Sequence, residues 1–326
     1  FEVYIFSYNH DDESRDYIKN NVFKFVELDG LDNTKATQKM IDCNLDILID
    51  LTIIITNNRQ EIIHNRPAKK IISYLVYPGT SGSSIYDYII TDKIVTPISQ
   101  QKYYTEKFLY LPRTYQINDG RRLYKNKNNK SHKKDHGLPE SSIVLSCFNQ
   151  SFKIEEVMLS CWLDILKQVS NSFLWLLEDN EASKENIYSF AKNRGIEESR
   201  IVFAPRINRA DHLLRLQLSN VTLDTMIYNG HTTTTDSLQS AVPVVTLIGN
   251  HFASRVSASL LTSIGLEELV TKNISEYKSL AIRLVSDSVY FNQIKNNLLN
   301  DDFNNDFYNI EKFVVELEDS LISIIN

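Results

Sequence analysis

Short apolar runs alternate with amphipathic stretches along the N-terminal part of the chain. Stretches with helical spacing, such as 36–43 and 59–65, separate apolar segments that are typical of buried strands. Strands that alternate with helices favour a parallel, doubly wound α/β sheet. The predicted strands of this part are 1–6, 23–28, 46–55, 71–76 and 88–91.

The same alternation restarts at Ile143, after a basic and polar segment that reads RRLYKNKNNKSHKK at 121–134. Because this segment has almost no apolar position, it predicts an exposed interdomain linker. The later strands are expected at 143–148, 173–178, 201–204, 221–224 and 266–270, with the alternating segment 238–247 leading from a helix into a further strand. The helices are expected at 155–169, 185–194, 211–218, 274–286 and 310–325.

These patterns predict an α/β chain with two doubly wound, Rossmann-like domains that face a cleft. We expect a partial N-terminal domain at 1–116, the linker at 117–137, a C-terminal domain at 138–304 and a closing helix at 305–326. The chain begins with Phe1 and not Met, which predicts that it is a piece of a longer protein. Ligands of open α/β sheets bind outside the carboxyl ends of the strands, so those ends are where a site is expected.

Composition narrows the class of protein. Of 326 residues, 42% are hydrophobic and 23% are charged, which is typical of a soluble globular chain. The net charge of −6 argues against general nucleic-acid binding, and no apolar run is long enough to predict membrane insertion. Cys43, Cys147 and Cys161 are widely spaced, which suits reduced thiols in the cytoplasm and indicates neither a disulfide framework nor a metal site.

The segment YNGHTTTTD at 228–236 has the chemistry of a phosphate-binding turn. It follows an apolar run that closes with Asp224, and it opens a predicted helix, whose first N–H groups and dipole attract anions. Asn229 and Gly230 permit the turn, and residues 232–235 add four hydroxyl donors. His231 can donate to a phosphate oxygen and Asp236 can accept from a ribose. The alternative is a Thr-rich helix cap with a surface histidine.

The chain resembles the family of O-linked N-acetylglucosamine transferases and their SPINDLY-type relatives, glycosyltransferases of the two-domain GT-B class. The order and spacing of the motifs hold from about residue 1 to residue 317, and the motifs are specific as a set. They are NRPAKK at 65–70, YPGTSG at 77–82, DYIITD at 87–92, FNQSFKI at 148–154, FAPRINRADHLLR at 203–215, LDTMIYNGHTTTTD at 223–236 and ASRVSASLL at 253–261.

The resemblance implies an inverting, metal-independent transfer of a sugar, with N-acetylglucosamine and a UDP-sugar donor favoured, to Ser or Thr hydroxyls of proteins. It implies no separate cofactor. Lys153 and His231 are the expected catalytic residues, and Lys153 matches a lysine that stabilises the diphosphate leaving group. The expected donor-binding residues are Gln150, Arg209, His212, Arg215, Tyr228, Asn229, Gly230, Thr232, Thr233 and Asp236, with Pro78 and Gly79 approaching the sugar. The resemblance also implies tetratricopeptide repeats upstream in the full-length protein.

Several residues depart from the pattern of the family. Val76 replaces a glycine before the Tyr–Pro–Gly turn, and Ile54 to Thr56 replace a polar run that is common in the family. Tyr228 stands where some members carry a smaller residue beside the N-acetyl group, which favours a smaller sugar such as glucose. Two alternatives therefore remain: a relative that uses UDP-glucose or GDP-fucose, with Asn as a further acceptor, and a nucleotide-binding module that has lost catalysis.

Overall fold

Every strand pairing in the described part of the chain is parallel, as an α/β fold requires. The computed structural model describes residues 1–8, 13–56, 58–118, 131–300 and 306–325. The chain forms two compact units. The first comprises Phe1–Thr91, Ile98–Tyr110 and Asp319–Asn326, and the second comprises Asp92–Pro97 and Leu111–Glu318.

The first unit contains two parallel sheets. A two-stranded sheet pairs β1 (Tyr4–Ser7) with β2 (Lys24–Glu27), and a four-stranded sheet has the order β3-β4-β5-β6. The strands of the larger sheet are β3 (Leu45–Asp50), β4 (Ala68–Ser73), β5 (Tyr88–Thr91) and β6 (Lys107–Tyr110). Helices α1 (Glu13–Asn21) and α2 (Asn33–Ile41) belong to this unit. The core of the unit includes Met40 of α2, Leu28 and Ile71.

The second unit is built around a six-stranded parallel sheet of order β12-β11-β10-β7-β8-β9. Its strands are β7 (Ile143–Cys147), β8 (Ser172–Leu177), β9 (Ile201–Ala204), β10 (Val221–Leu223), β11 (Val244–Leu247) and β12 (Val270–Thr271). Its helices are α3 (Glu156–Gln168), α4 (Glu181–Asn193), α5 (Arg209–Leu216), α6 (Thr232–Gln239), α7 (Val256–Ser263), α8 (Ile274–Ser286) and α9 (Ser288–Leu299). A closing helix, α10, spans Ile310–Ile325.

Most predicted elements form within a few residues of their expected bounds, but the strand expected at 46–55 is too long. β3 ends at Asp50, because the Asp50 carboxylate accepts hydrogen bonds from the backbone N–H and the hydroxyl of Thr52, at 2.8 and 2.7 Å. Such an Asp-centred turn competes with the strand ladder. Ile53 then takes a positive φ of 39°, and Leu51 and Ile54 are about half exposed, so their apolar character does not reflect burial.

Three other expectations need correction. The helix expected at 59–65 is only a 3₁₀ turn at Gln60–Ile62, and the strand expected at 71–76 is shifted to Ala68–Ser73. Residues 119–130 of the predicted basic linker lie outside the described residues. Its end, Lys133–His136, is a 3₁₀ turn in which the Lys133 ammonium donates to the carbonyl of Ser142 at 2.6 Å, so this end is folded onto the second unit.

Among the described helices, none combines the length and the apolar character that crossing a lipid bilayer requires.

Candidate active site

The sheet of the second unit reverses its order of connection between β7 and β10. From β7 the chain continues outward through β8 and β9, and from β10 it continues in the opposite direction through β11 and β12. Because the strands are parallel, the segments that follow β7 and β10 emerge side by side at the same edge of the sheet. These segments, 148–153 and 224–231, contain six of the fourteen residues that the sequence predicts for the site, including both expected catalytic residues.

Asp224 lies directly beneath the second of these segments. Its side chain is 2% exposed, and one carboxylate oxygen accepts hydrogen bonds from the backbone N–H groups of Thr225, at 2.9 Å, and Gly230, at 2.7 Å. The other oxygen accepts from the hydroxyl of Thr246 on β11, at 2.7 Å. Burial raises the pKa of this carboxyl group and the hydrogen bonds oppose the shift. A buried carboxylate thus fixes both ends of the loop at 225–230.

Gly230 is required in this loop by close packing and not by an unusual backbone angle. A Cβ atom at this position would lie 2.5 Å from the hydroxyl oxygens of both Thr233 and Thr234. Its N–H is occupied by Asp224, so this group faces the protein interior. Asn229 is also fully buried, and its side-chain amide donates to the carbonyl of Thr225 at 2.6 Å. Both residues therefore shape the loop.

Lys153 extends over the loop from the first segment. Its ammonium donates to the carbonyl of Asn229 at 3.2 Å and lies 3.8 Å from the centre of the Tyr228 ring. Burial lowers the pKa of Lys153, and the negative charge of Asp224 acts in the opposite direction. An ammonium carries three donors, so this arrangement leaves Lys153 able to bind an anion.

His231 precedes the first residue of α6. Its ring packs against that of Tyr228, with 5.3 Å between the ring centres. Burial and, to a smaller extent, the positive charge of Lys153 together lower the pKa of His231 to about 3, so the imidazole is neutral near pH 7. Its Nε2 atom is buried without a partner among the described residues. Since buried polar atoms are normally paired, this nitrogen indicates a position for a ligand group.

The threonines of α6 contribute fewer ligand donors than the sequence predicts. The Thr234 and Thr235 side chains are buried, and their hydroxyls bond back to the carbonyls of Gly230, at 3.0 Å, and Thr232, at 2.9 Å. The Thr233 hydroxyl donates to Asn149 Oδ1 at 2.6 Å. The expectation of four hydroxyl donors is therefore wrong for three of them. Thr234 and Thr235 bond to the preceding turn, as threonines inside a helix do, and the Thr233 hydroxyl proton is used by Asn149. Thr232 alone of the four is exposed.

Arg209 and Asp236 form an ion pair at the side of this loop. The guanidinium donates to Asp236 at 3.0 Å and to Gln239 at 2.8 Å. The Arg209 side chain is 57% exposed and that of Asp236 is 13% exposed. Burial raises the pKa of Asp236, and Arg209 opposes the shift. The pair offers both a donor and an acceptor to a ligand that displaces part of it.

His212 and Arg215 lie on α5. The Arg215 Nε donates to His212 Nδ1 at 3.1 Å, which leaves the proton of the neutral imidazole on Nε2. Burial lowers the pKa of His212 to about 4, with the charges of Arg215 and Arg209 adding to the effect. Arg215 is 2% exposed, stacks on Phe148 and donates to the carbonyl of Pro205 at 2.7 Å. It therefore orients His212, whereas the sequence predicted that it contacts the ligand.

The remaining predicted residues lie in two places. Gln150 is exposed at the start of the turn that carries Lys153, and it makes no capping hydrogen bond there. Pro78 and Gly79 belong to the first unit, in a tight turn in which the Gly79 N–H donates to the carbonyl of Tyr77 at 3.0 Å. Thr80 and Ser81, next along this turn, donate to the fully buried carboxylate of Glu106.

Sequence reasoning missed the residues that support the site. Asn149 donates to Asp224 at 3.2 Å and accepts from Thr233, and so joins the segment after β7 to α6. Tyr277 of α8 donates to the carbonyl of Asp224 at 2.9 Å. The signal for Asp224 was present, since a carboxylate that closes an apolar strand is unusual. No comparable pattern marks Asn149 or Tyr277.

Comparison with known proteins identifies the family. Residues 1–135 and 130–317 match the model of glycosyl transferase family 41. The chain belongs to this family. The resemblance to O-linked N-acetylglucosamine transferases and SPINDLY proteins, drawn from the motifs, is therefore confirmed.

Two curated relatives illustrate the match in sequence. The chain is 34% identical to a probable UDP-N-acetylglucosamine–peptide N-acetylglucosaminyltransferase SEC of Arabidopsis thaliana, over 86% of this chain and 29% of the relative. It is 26% identical to the UDP-N-acetylglucosamine–peptide N-acetylglucosaminyltransferase of Caenorhabditis elegans, over 98% of this chain and 37% of the relative. The chain thus spans about a third of the length of these relatives.

Solved structures confirm the α/β, GT-B fold expected from the sequence. A mutant of the Thermobaculum terrenum O-GlcNAc transferase superposes with a TM-score of 0.90 and 26% identity, over 99% of this chain and 61% of that one. Anabaena HepE, solved in complex with UDP and glucose, gives a TM-score of 0.61 at 10% identity, over 98% of this chain and 92% of that one, and shares the fold.

Proposed function

We propose that this chain is the catalytic region of a glycosyltransferase that transfers N-acetylglucosamine from UDP-N-acetylglucosamine to Ser or Thr hydroxyls of proteins. Membership of family 41 and the names of the relatives support the donor and the acceptor class. The observation that carries the proposal is the convergence of the Lys153 ammonium and the unpartnered His231 Nε2 at the start of α6.

The geometry suits a metal-independent departure of UDP. When the bond between the sugar and the diphosphate breaks, negative charge develops on the leaving phosphate oxygen. The Lys153 ammonium and the amino-terminal N–H groups of α6 are positioned to offset that charge. Neutral His231 can donate one hydrogen bond from Nε2 to a phosphate oxygen. Arg209, His212, Asp236 and Gln150 then supply polar contacts for the nucleoside.

The same proposal includes the acceptor, the further domains of the full-length protein and its cellular compartment. We place the acceptor Ser or Thr of a protein chain at the sugar end of the donor. Tetratricopeptide repeats in the full-length protein are consistent with the relatives being about three times longer than the matched region. The three free cysteines of the described chain fit a cytoplasmic, reducing compartment.

Calorimetric titration with UDP, and with GDP in parallel, tests the nucleotide site. We expect binding of UDP and much weaker binding of GDP. Release of UDP from UDP-N-acetylglucosamine in the presence of an acceptor peptide then tests transfer. UDP binding without any UDP release from a panel of UDP-sugars would instead support the nucleotide-binding module.

A donor panel separates the remaining alternatives within the family. UDP-N-acetylglucosamine, UDP-glucose and GDP-fucose are compared at equal concentration with the same peptide. Preference for UDP-glucose would mean that Tyr228 restricts the N-acetyl pocket. Preference for GDP-fucose would overturn the proposed donor.

A further inference from the structure

Tyr228 contacts both of the side chains that are predicted to be catalytic. The Lys153 ammonium lies over its ring, 3.8 Å from the centre, and the His231 ring packs against it at 5.3 Å. The exposed ring of Phe152 meets it edge to face at 6.3 Å. The resemblance predicts Tyr228 only as a wall of the sugar pocket, and these contacts are additional to that role.

The ring is carried by a fixed piece of backbone. The carbonyl of Tyr228 accepts from the Thr225 hydroxyl at 2.6 Å, and the N–H of the next residue, Asn229, donates to the carbonyl of Ala253 at 2.9 Å. The carbonyl of Asn229 accepts from the Lys153 ammonium. Consecutive residues therefore hold the ammonium from two directions, one through a ring face and one through a carbonyl.

We propose that Tyr228 is a positioning residue whose ring face holds the Lys153 ammonium and the His231 imidazole in the orientation that meets the donor diphosphate. A lysine side chain has four rotatable C–C bonds, so it loses much conformational entropy when it is held in one orientation. A ring face attracts the ammonium without accepting a conventional hydrogen bond, so the N–H donors that the Asn229 carbonyl does not use stay available to phosphate oxygens. This inference rests on the proposed function.

Steady-state kinetics of ring and non-ring variants test the proposal. Tyr228→Leu and Tyr228→Met remove the ring face, and we expect either to lower kcat about tenfold while KM for the UDP-sugar changes less than about threefold. Tyr228→Phe keeps the ring face and should recover kcat to within about threefold of the wild type. A loss in Tyr228→Phe as large as that in Tyr228→Leu would overturn the proposal, because the hydroxyl and not the ring would then be responsible.

Tyr290 offers a matched control. Its ring receives the Arg283 guanidinium at 3.9 Å, in a contact of the same type between α8 and α9. Tyr290→Leu should leave kcat and KM unchanged. Thermal unfolding of all four variants shows whether any change in kcat accompanies a loss of folded protein.

A double-mutant cycle determines whether Tyr228 acts through Lys153. If it does, Tyr228→Leu should change kcat less than about twofold in a Lys153→Ala background, because the side chain that it positions is absent. Additive losses in the double variant would overturn the proposal.

Titration of the same variants with UDP measures the coupling between Tyr228 and Lys153 in binding affinity, which does not depend on catalysis. Tyr228→Leu should weaken UDP binding about threefold in the wild-type background and by a clearly smaller factor in Lys153→Ala, where only the contact with His231 remains. If the wild type binds UDP but transfers no sugar, the proposed function fails while this binding cycle still decides the role of Tyr228. Equal weakening in both backgrounds would overturn that role.

Discussion

The loop at 77–83 in the first unit and the loop at 225–231 in the second unit are each held by a fully buried carboxylate. Glu106 accepts from the Thr80 hydroxyl and the Ser81 N–H, both at 2.6 Å, while Asp224 accepts from the N–H groups at both ends of its loop. The surroundings differ. The groups that donate to Glu106 are neutral and belong to the loop at 77–83 and to Thr105. Beside the loop at 225–231, by contrast, lie the Lys153 ammonium and an imidazole nitrogen of His231 that has no partner among the described residues.

The carboxylate of Glu106 therefore only fixes the conformation of its loop, whereas the carboxylate of Asp224 fixes a loop that is also suited to bind a ligand. In both units the carboxylate replaces water as the acceptor for loop N–H and O–H groups, which fixes the loop conformation. Of these two loops, as far as their described neighbours show, only that of the second unit lies beside an ammonium and an imidazole nitrogen without a partner, which a diphosphate would meet. Four predictions test this comparison, from the largest expected effect to the smallest.

Lys153→Ala should have the largest effect on the reaction. Its ammonium opposes charge that develops in the transition state, so kcat should fall by about 10²–10³-fold, while UDP binding weakens far less. The measurement is UDP release at saturating donor. Lys184→Ala is the control, because Lys184 pairs with Glu178 and Glu181 around α4. A kcat within about twofold of the wild type would remove Lys153 from the leaving-group role.

Gly230→Ala and Gly79→Ala should separate the two loops in stability. The new Cβ at 230 would lie 2.5 Å from two hydroxyl oxygens, whereas at 79 the nearest atom is Cε1 of the Tyr77 ring at 3.2 Å. We expect Gly230→Ala to lower the free energy of unfolding by about 2–3 kcal/mol and Gly79→Ala by less than about 1 kcal/mol. Urea denaturation measures both, and equal losses would contradict the close-packing argument.

Asp224→Ala and Glu106→Ala should differ in binding but not in stability. Each variant leaves several buried donors without an acceptor, so each should lower the free energy of unfolding by about 3 kcal/mol. Asp224→Ala also releases the Gly230 N–H and should weaken UDP binding about tenfold, whereas Glu106→Ala should change it less than about twofold. Calorimetric titration decides. A similar loss of UDP affinity in both variants would contradict the prediction that only the loop at 225–231 binds the nucleotide.

Mild acid should give the smallest effect, a modest decrease in the free energy of unfolding. The pKa values of His231 and His212 are lowered in the folded state to about 3 and about 4. When the pH falls below the ordinary pKa of histidine, the unfolded state therefore binds protons that the folded state does not. Stability is therefore lost as pH falls from about 7 towards 4, by about 1 kcal/mol per histidine between pH 7.5 and 5.5. Urea unfolding at these two pH values should show a smaller loss in His231→Asn. An equal loss in this variant would mean that the imidazole is not buried neutral.

Much of the fold could be predicted because a parallel sheet leaves a strong pattern. Strands such as β7 and β8 are covered on both faces and form apolar runs with clear limits. The prediction failed at 46–55, where the apolar run continues beyond the strand through the exposed Leu51, Ile54 and Ile55, although Ile53 between them is buried. Apolar composition there did not report burial, because the Asp50 carboxylate turns the backbone out of the ladder.

The site was predicted in its ligand-facing part and missed in its supporting part. His231 is predicted from the chemistry of a glycine-containing helix start, whereas Lys153 is predicted from the FNQSFKI motif that the chain shares with the family. The hydrogen bond of Thr233 to Asn149 spans 84 positions, and that of Tyr277 to Asp224 spans 53. Pairings at such separations depend on how strands are ordered in the sheet, which local patterns do not encode.

The sequence by itself determined the class of fold and the family, and it predicts the position of a phosphate-binding turn, because each depends on local periodicity or on contiguous motifs. Only the tertiary structure decided which groups of that turn face a ligand. It turned the Gly230 N–H and three of the four threonine hydroxyls towards the protein, and placed Tyr228 beneath the Lys153 ammonium. The reason is physical: a hydrogen-bonding group can serve a ligand only when folding has left it without a nearer partner.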